Sequence, residues 1–177
     1  MERDADAGRG GGPLSGAQWW QGPRGEWFVA GQFALLALVV FGPRTLGGWP
    51  PWRFPLGGAA PAAGLALVAA GALLAVAAVL HLWNGRALTA LPHPTHQGTL
   101  VEAGPYALAR HPIYGGTIAA AFGWALAVRG WLTLLYALAL FLFLDVKARR
   151  EERWLAGRFA GYAAYQRRIR RLIPFVY

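Results

Sequence analysis

Two clusters of ionisable side chains interrupt an otherwise apolar chain. The first is the box Arg110-His111-Pro112-Ile113-Tyr114-Gly115-Gly116, led into by the run Gly98-Thr99-Leu100-Val101-Glu102-Ala103-Gly104-Pro105-Tyr106; the second is Lys147, Arg149, Arg150, Glu151 and Glu152. Ionisable groups beside apolar spans are costly to keep unless they are used. Pro112 suits the first turn of a helix, where its missing donor is not needed. That puts Arg110 and His111 at the helix mouth and Tyr114 in the first turn. Such a mouth favours a negatively charged group, for instance a carboxylate.

The elements that must bring these clusters together are four apolar stretches: Trp27 to Phe41, Leu56 to Trp83, Ile113 to Val128 and Trp131 to Leu144. The second is long enough to cross a hydrocarbon core of ~30 Å as a helix; the others fall short of the roughly 20 residues a straight crossing takes. Only Arg129 and Gly130 separate the last two, which predicts a tight helical hairpin with both outer ends on one side. On that geometry the entrance at His111 and the exit at Glu151 share one face. From Asp145 to Arg171, Leu155, Phe159, Tyr162, Ile169 and Leu172 recur at helical spacing among arginines. The pattern predicts an amphipathic C-terminal helix on the cytoplasmic face.

The composition fits a membrane protein: 56% of the 177 residues are hydrophobic and 14% charged, against about a quarter charged in soluble domains. A net charge of +9 raises the question of nucleic acid. The cations, however, cluster outside apolar stretches rather than among stacking aromatics on a polar surface, so an anionic membrane surface is the expected partner and nucleic acid is not. Placing both termini and the 84–112 segment in the cytoplasm leaves only Arg44, Arg53 and Arg129 of the 17 Lys and Arg residues outside, as the positive-inside rule asks. The tryptophans near span ends, such as Trp49, Trp52 and Trp131, suit an interfacial belt. Residues 1–26, rich in glycine with Glu2, Asp4 and Asp6, are expected to form a flexible tail rather than a cleaved signal. Residues 27–177 then make a single membrane domain.

With no cysteine, thiolate metal sites and cysteine nucleophiles are excluded. His93 and His96 lie in a proline-rich loop without a third ligand, so no metal is expected. The long connection from Asn84 to Arg110, with Pro92, Pro94, Gly98 and Gly104, reads as a functional loop.

Taken together, the Leu100 to Tyr106 run, the Arg110 to Gly116 box, the Glu151-Glu152 pair and the following Leu155, Phe159, Tyr162, Tyr165 and Ile173-Pro174-Phe175 resemble the isoprenylcysteine carboxyl methyltransferases and phospholipid N-methyltransferases. The likeness covers about residues 92–177. It implies an all-α integral membrane enzyme that moves a methyl group from S-adenosylmethionine. It further implies that Gly98, Thr99, Leu100, Val101, Tyr106, His111, Pro112, Ile113, Tyr114 and Glu151 line the cofactor pocket. Arg110, His111 and Glu152 would then be the catalytic group. A carboxylate there can hold the cofactor's ammonium or favour its sulfonium, and arginine, histidine or helix N–H groups can meet its carboxylate. Where the prenylcysteine enzymes use an arginine for the substrate carboxylate, this chain has Lys147, with Arg149 and Arg150 as alternatives. Lysine lacks the bidentate guanidinium fork. The expected acceptor is the carboxylate of an isoprenylcysteine-like or other lipophilic molecule. A phospholipid amine, a small thiol, or a non-catalytic scaffold retaining the fold are the alternatives. An amine or thiol acceptor would need a base, for which His111 or Glu152 stand nearest in sequence.

Overall fold

The computed structural model describes residues 26–47, 49–52, 59–84, 100–174 and 176–177. The expected flexible tail, the loop positions Gly98 and Thr99, and His93 and His96 lie outside the described residues. Within them every regular element is helical: α1 (Glu26–Phe41), α2 (Ala59–Asn84), α3 (Pro112–Val128), α4 (Trp131–Arg158) and α5 (Tyr162–Arg168), with a 3-10 turn at Gly104–Ala107.

α4 departs from the sequence expectation. No proline or glycine occurs between Trp131 and Ala156, and the residues beyond Leu144 are good helix formers. The helix therefore continues past Leu144 instead of yielding to a new element. It ends at Arg158, capped by Phe159, and α5 adds seven residues. The single amphipathic helix expected over 145–171 is thus two pieces, the charged end of α4 and the short α5.

Two helices, α2 with 26 residues and α4 with 28, are long and apolar enough to cross a membrane. α1 and α3, with 16 and 17 residues, reach only about 24–26 Å at 1.5 Å per residue. A soluble protein would bury a helix as apolar as α2. Here only 17% of its most apolar window is buried, and Leu65, Leu73 and Leu80 face outward. Such a surface suits lipid.

Small residues set the helix spacing. Gly64 and Gly71 on α2 oppose Gly123 and Gly116 on α3, both pairs seven residues apart. A Cβ on Gly123 would lie 2.7 Å from the Gly64 carbonyl oxygen, and one on Gly71 would lie 2.7 Å from the Ala120 nitrogen. Only glycine permits this approach, the usual device where helices pack without a hydrophobic driving force. The register shows that α2 and α3 run antiparallel. α1 runs antiparallel to α4: near its start Phe28 meets Phe143 at 5.5 Å, and just past its end Gly42 meets Tyr136. Val39, Ile118, Ala121, Ala137, Leu140, Leu144 and Leu172 form the shared core. One end of the molecule accordingly gathers the starts of α1 and α3 with the ends of α2 and α4. The other end is closed by backbone bonds from Leu132 N to the Arg44 carbonyl (3.0 Å) and from Trp52 N to the Arg129 carbonyl (3.3 Å).

Candidate active site

The approach to α3 is held by backbone. The N–H groups of Arg110 and His111 donate to the carbonyls of Arg170 and Arg171 at 2.8 and 2.9 Å, lacing this segment to the chain that follows α5. Pro112 then opens α3 at its first position, as its missing donor predicts. The Tyr114 hydroxyl, in the first turn, donates to Glu151 Oε1 at 2.6 Å. The His111 and Tyr114 rings lie parallel with centroids 5.4 Å apart.

His111 sits between two carboxylates. Its Nδ1 is 3.4 Å from Glu151 Oε2, and its Nε2 is 3.5 Å from Glu152 Oε1. The second contact is an ion-pair approach without hydrogen-bond alignment, and it leaves buried Nε2 without a hydrogen-bond partner. Burial alone would lower the imidazole's affinity for a proton. The close negative charge of Glu151 and Glu152 outweighs it and raises the pKa above the ordinary 6.5. The two carboxylates therefore favour the protonated imidazole relative to a free histidine.

Glu152 carries most of the ties. Arg110 Nε and Nη2 both reach its Oε1 at 2.8 Å. Arg171 Nε donates to Oε2 at 3.1 Å, with Gln166 Nε2 at 3.5 Å. The remaining Arg110 nitrogen, Nη1, donates to the carbonyl of Gln166 at 3.0 Å and to that of Ile169. Every nitrogen of the Arg110 fork is thus occupied by this chain.

Spacing along α4 decides which cations join the cluster. Lys147 and Glu151, four residues apart, share a face. Lys147 is buried, donates to Gln32 Oε1 on α1 at 2.8 Å and stands 4.9 Å from the Tyr114 ring centroid. Arg149 and Arg150 are rotated away. Arg149 is 54% exposed and binds Asp145 Oδ2 at 2.6 Å, while Arg150 lies over Phe28 and Trp154. Of the expected acceptor cations, only Lys147 faces the cluster.

Tyr106 arrives from the 3-10 turn. The Tyr165 hydroxyl donates to its carbonyl at 2.6 Å. Gly104, at φ +62°, lets the chain pass against the His81 imidazole at the end of α2. Burial, then Tyr165 and Glu151, push the Tyr106 phenol well above its usual range, so its hydroxyl stands in the field of Glu151. Leu100 and Val101 are partly buried on the approach to this turn, as is Ile113 in the first turn of α3.

Several participants were not singled out from sequence. Arg171, placed by the sequence only at the end of the amphipathic run, bridges Glu152 and Asp145 (3.2 Å to Oδ1). Tyr162 and Tyr165, part of the family likeness but given no role at the site, are buried, and the Tyr162 hydroxyl has no hydrogen-bond partner. Gln32, a polar residue inside an apolar helix, was the one available signal for the contact between α1 and Lys147. Among the described residues no cluster of His, Asp and Glu suits a metal ion.

Comparison with known proteins places this geometry. A family model described as phospholipid methyltransferase matches residues 59–161, more than half of the 177. It takes in α2, which resembled that family from sequence only in being apolar. The chain is also similar to the cobalt-zinc-cadmium resistance protein CzcN of Cupriavidus metallidurans, at 31% identity over 152 residues, covering 85% of this chain and 62% of that protein. The chain therefore spans less than two thirds of that relative's length. With the matched segment carrying α2, α3, the histidine box and the acidic pair, the chain belongs to the phospholipid methyltransferase family of membrane methyltransferases.

Proposed function

We propose that this chain uses S-adenosylmethionine to methylate a carboxylate on a lipophilic acceptor, at the end of the bundle where His111 meets Glu151. The observation that carries the reading is that meeting: residues 40 positions apart lie 3.4 Å from one another, with Tyr114 and Lys147 in the same cluster.

The donor set fits the cofactor. Buried Nε2 of His111 has no hydrogen-bond partner, and as an N–H it would donate to a carboxylate. Glu151, bonded by Tyr114 at one oxygen, keeps lone pairs for an ammonium and negative charge for a sulfonium. The Tyr106 and Tyr114 rings offer faces for a base. Leu100, Val101, Pro112 and Ile113 would wall the pocket, and Gly98 and Thr99 would extend it. When bound, S-adenosylmethionine would supply an electrophilic methyl group.

The chain's own groups would then orient and dehydrate the reactants. Attack in line with the departing thioether needs little acid catalysis, so positioning carries most of the acceleration. Arg110 and Glu152, both saturated internally, act as positioning residues that fix His111 and α5. Lys147 is the cation that would receive an acceptor carboxylate.

A carboxylate acceptor suits this site because it needs no deprotonation. The carboxylates beside His111 favour its protonated form and Glu152 is bonded by two guanidinium groups, which makes both poor bases. A phospholipid amine is the second reading, favoured by the matched family's name, and would require a base from elsewhere. The excess of cations at the site end, against Arg44 and Arg129 at the other, supports a cytoplasmic site with both termini on that side.

The test is methyl transfer from methyl-labelled S-adenosylmethionine to membranes supplied with either a prenylated-cysteine analogue or phosphatidylethanolamine. Label in the first that mild base releases as methanol supports a methyl ester. Base-stable label in the second replaces this reading with the amine.

A further inference from the structure

At the end of the bundle opposite His111, a cavity of about 470 Å³ opens between the start of α2 and the end of α3, lined by Arg44, Pro51, Pro61, Leu65, Trp124 and Arg129. Its volume lies in the range of small-ligand sites. Both arginines are exposed, and Arg44 leans over the Trp124 ring, with Cζ 6.0 Å from its centroid.

Two further observations mark this slot. The sequence has no acidic residue between Glu26 and Glu102, and Glu102, Asp145, Glu151 and Glu152 are engaged by cations at the other end. Among the described residues, neither Arg44 nor Arg129 has a carboxylate partner, which leaves both able to pair with an outside anion. Arg129, moreover, caps α3 in the left-handed conformation at φ 54°. Glycine is the unstrained residue there, and a side chain kept at such a position costs free energy.

We propose that this slot binds the phosphate of a phospholipid in the leaflet opposite the candidate active site, with Arg44 and Arg129 on the phosphate and Leu65 and Trp124 against the glycerol and first methylenes. Guanidinium groups are the side chains best shaped for phosphate, and apolar walls open toward lipid at the level of an interfacial tryptophan suit the rest. The backbone ties to the Arg44 and Arg129 carbonyls hold both residues in place before any lipid arrives.

The test uses the purified full chain in a neutral detergent, with thermal unfolding followed by tryptophan fluorescence. Titrants are dioctanoylphosphatidylglycerol, dioctanoylglycerol and inorganic phosphate. The phosphatidylglycerol is expected to raise the midpoint saturably, and the other two to leave it nearly unmoved. Arg129→Gly relieves the left-handed strain, so it should unfold no earlier than wild type without lipid yet need at least about fivefold more lipid for half the shift. Arg44→Gln should weaken the response similarly, and Arg168→Gln at the other end should not. An Arg129→Gly response equal to wild type, an equal response to dioctanoylglycerol, or an equal response to inorganic phosphate alone would overturn the proposal.

Discussion

Arg110 places Nε and Nη2 on a single oxygen of Glu152, each at 2.8 Å, across 42 residues of sequence. Both side chains are nearly buried, at 9% and 6% exposure. A buried pair of this kind adds modest net stability compared with an apolar pair, but removing one member strands the other. Arg110→Ala should therefore cost ~3 kcal/mol or more in unfolding free energy. In a double-mutant cycle with Glu152→Gln the losses should be clearly less than additive. Additive losses would show that the pair does not hold the site together.

His111 ties stability to pH. Its folded pKa is raised above 6.5 by Glu151 and Glu152. Its contribution is then fully present below about 6.5 and lost as pH climbs through the folded value. Thermal midpoints should fall as pH rises above neutrality, and His111→Gln should flatten that fall. If His111→Gln kept the wild-type alkaline slope, the imidazolium would not be its source.

Tyr114 hydroxyl orients Glu151 through one bond of 2.6 Å. Tyr114→Phe keeps the ring beside Lys147 and His111 and deletes only that bond, worth about 1 kcal/mol. Affinity for S-adenosylhomocysteine should weaken roughly fivefold, with the unfolding midpoint only about 2–4 °C lower. Lys147→Met should instead raise the KM for a carboxylate acceptor while leaving cofactor affinity within about twofold. A change in cofactor affinity alone would move Lys147 out of the acceptor role.

The glycine register between α2 and α3 predicts intolerance to the smallest side chain. A Cβ on Gly71 would meet the Ala120 nitrogen at 2.7 Å, and one on Gly116 the Ala75 nitrogen at 2.8 Å. Backbone cannot move aside as a side chain can. Gly71→Val should abolish the monodisperse peak in size-exclusion chromatography, and Gly157→Ala, where a Cβ meets open space, should not.

How far the sequence reading reached follows from what each element depends on. Pro112 and the apolar run behind it announce α3 through local chemistry, and the helix begins where they say. The side shared by His111 and Glu151 was expected from the short link at Arg129-Gly130, which turns the chain back, although α3 takes α2 rather than α4 as its main partner. The continuation of α4 past Leu144 was not, because attention to hydrophobicity stops at the first charge whereas helix propensity does not. Arg149 and Arg150 were indistinguishable from Lys147 until the helix phase was known. The inward turn of Arg171 depends on the break at Phe159 to Gly161, which periodicity over 145–171 smoothed away. The seven-residue glycine match was present in the sequence, but its meaning required knowing that α2 and α3 are neighbours.

The account stands on one ligand shared by the entrance of α3 and the charged end of α4. Isothermal calorimetry with S-adenosylhomocysteine on the purified chain measures it directly. The expected result is saturable one-to-one binding, weakened at least about tenfold by Glu151→Gln, with Arg150→Gln, whose side chain faces away, binding as wild type. No detectable binding by the wild-type chain, or equal affinity in Glu151→Gln, would contradict it.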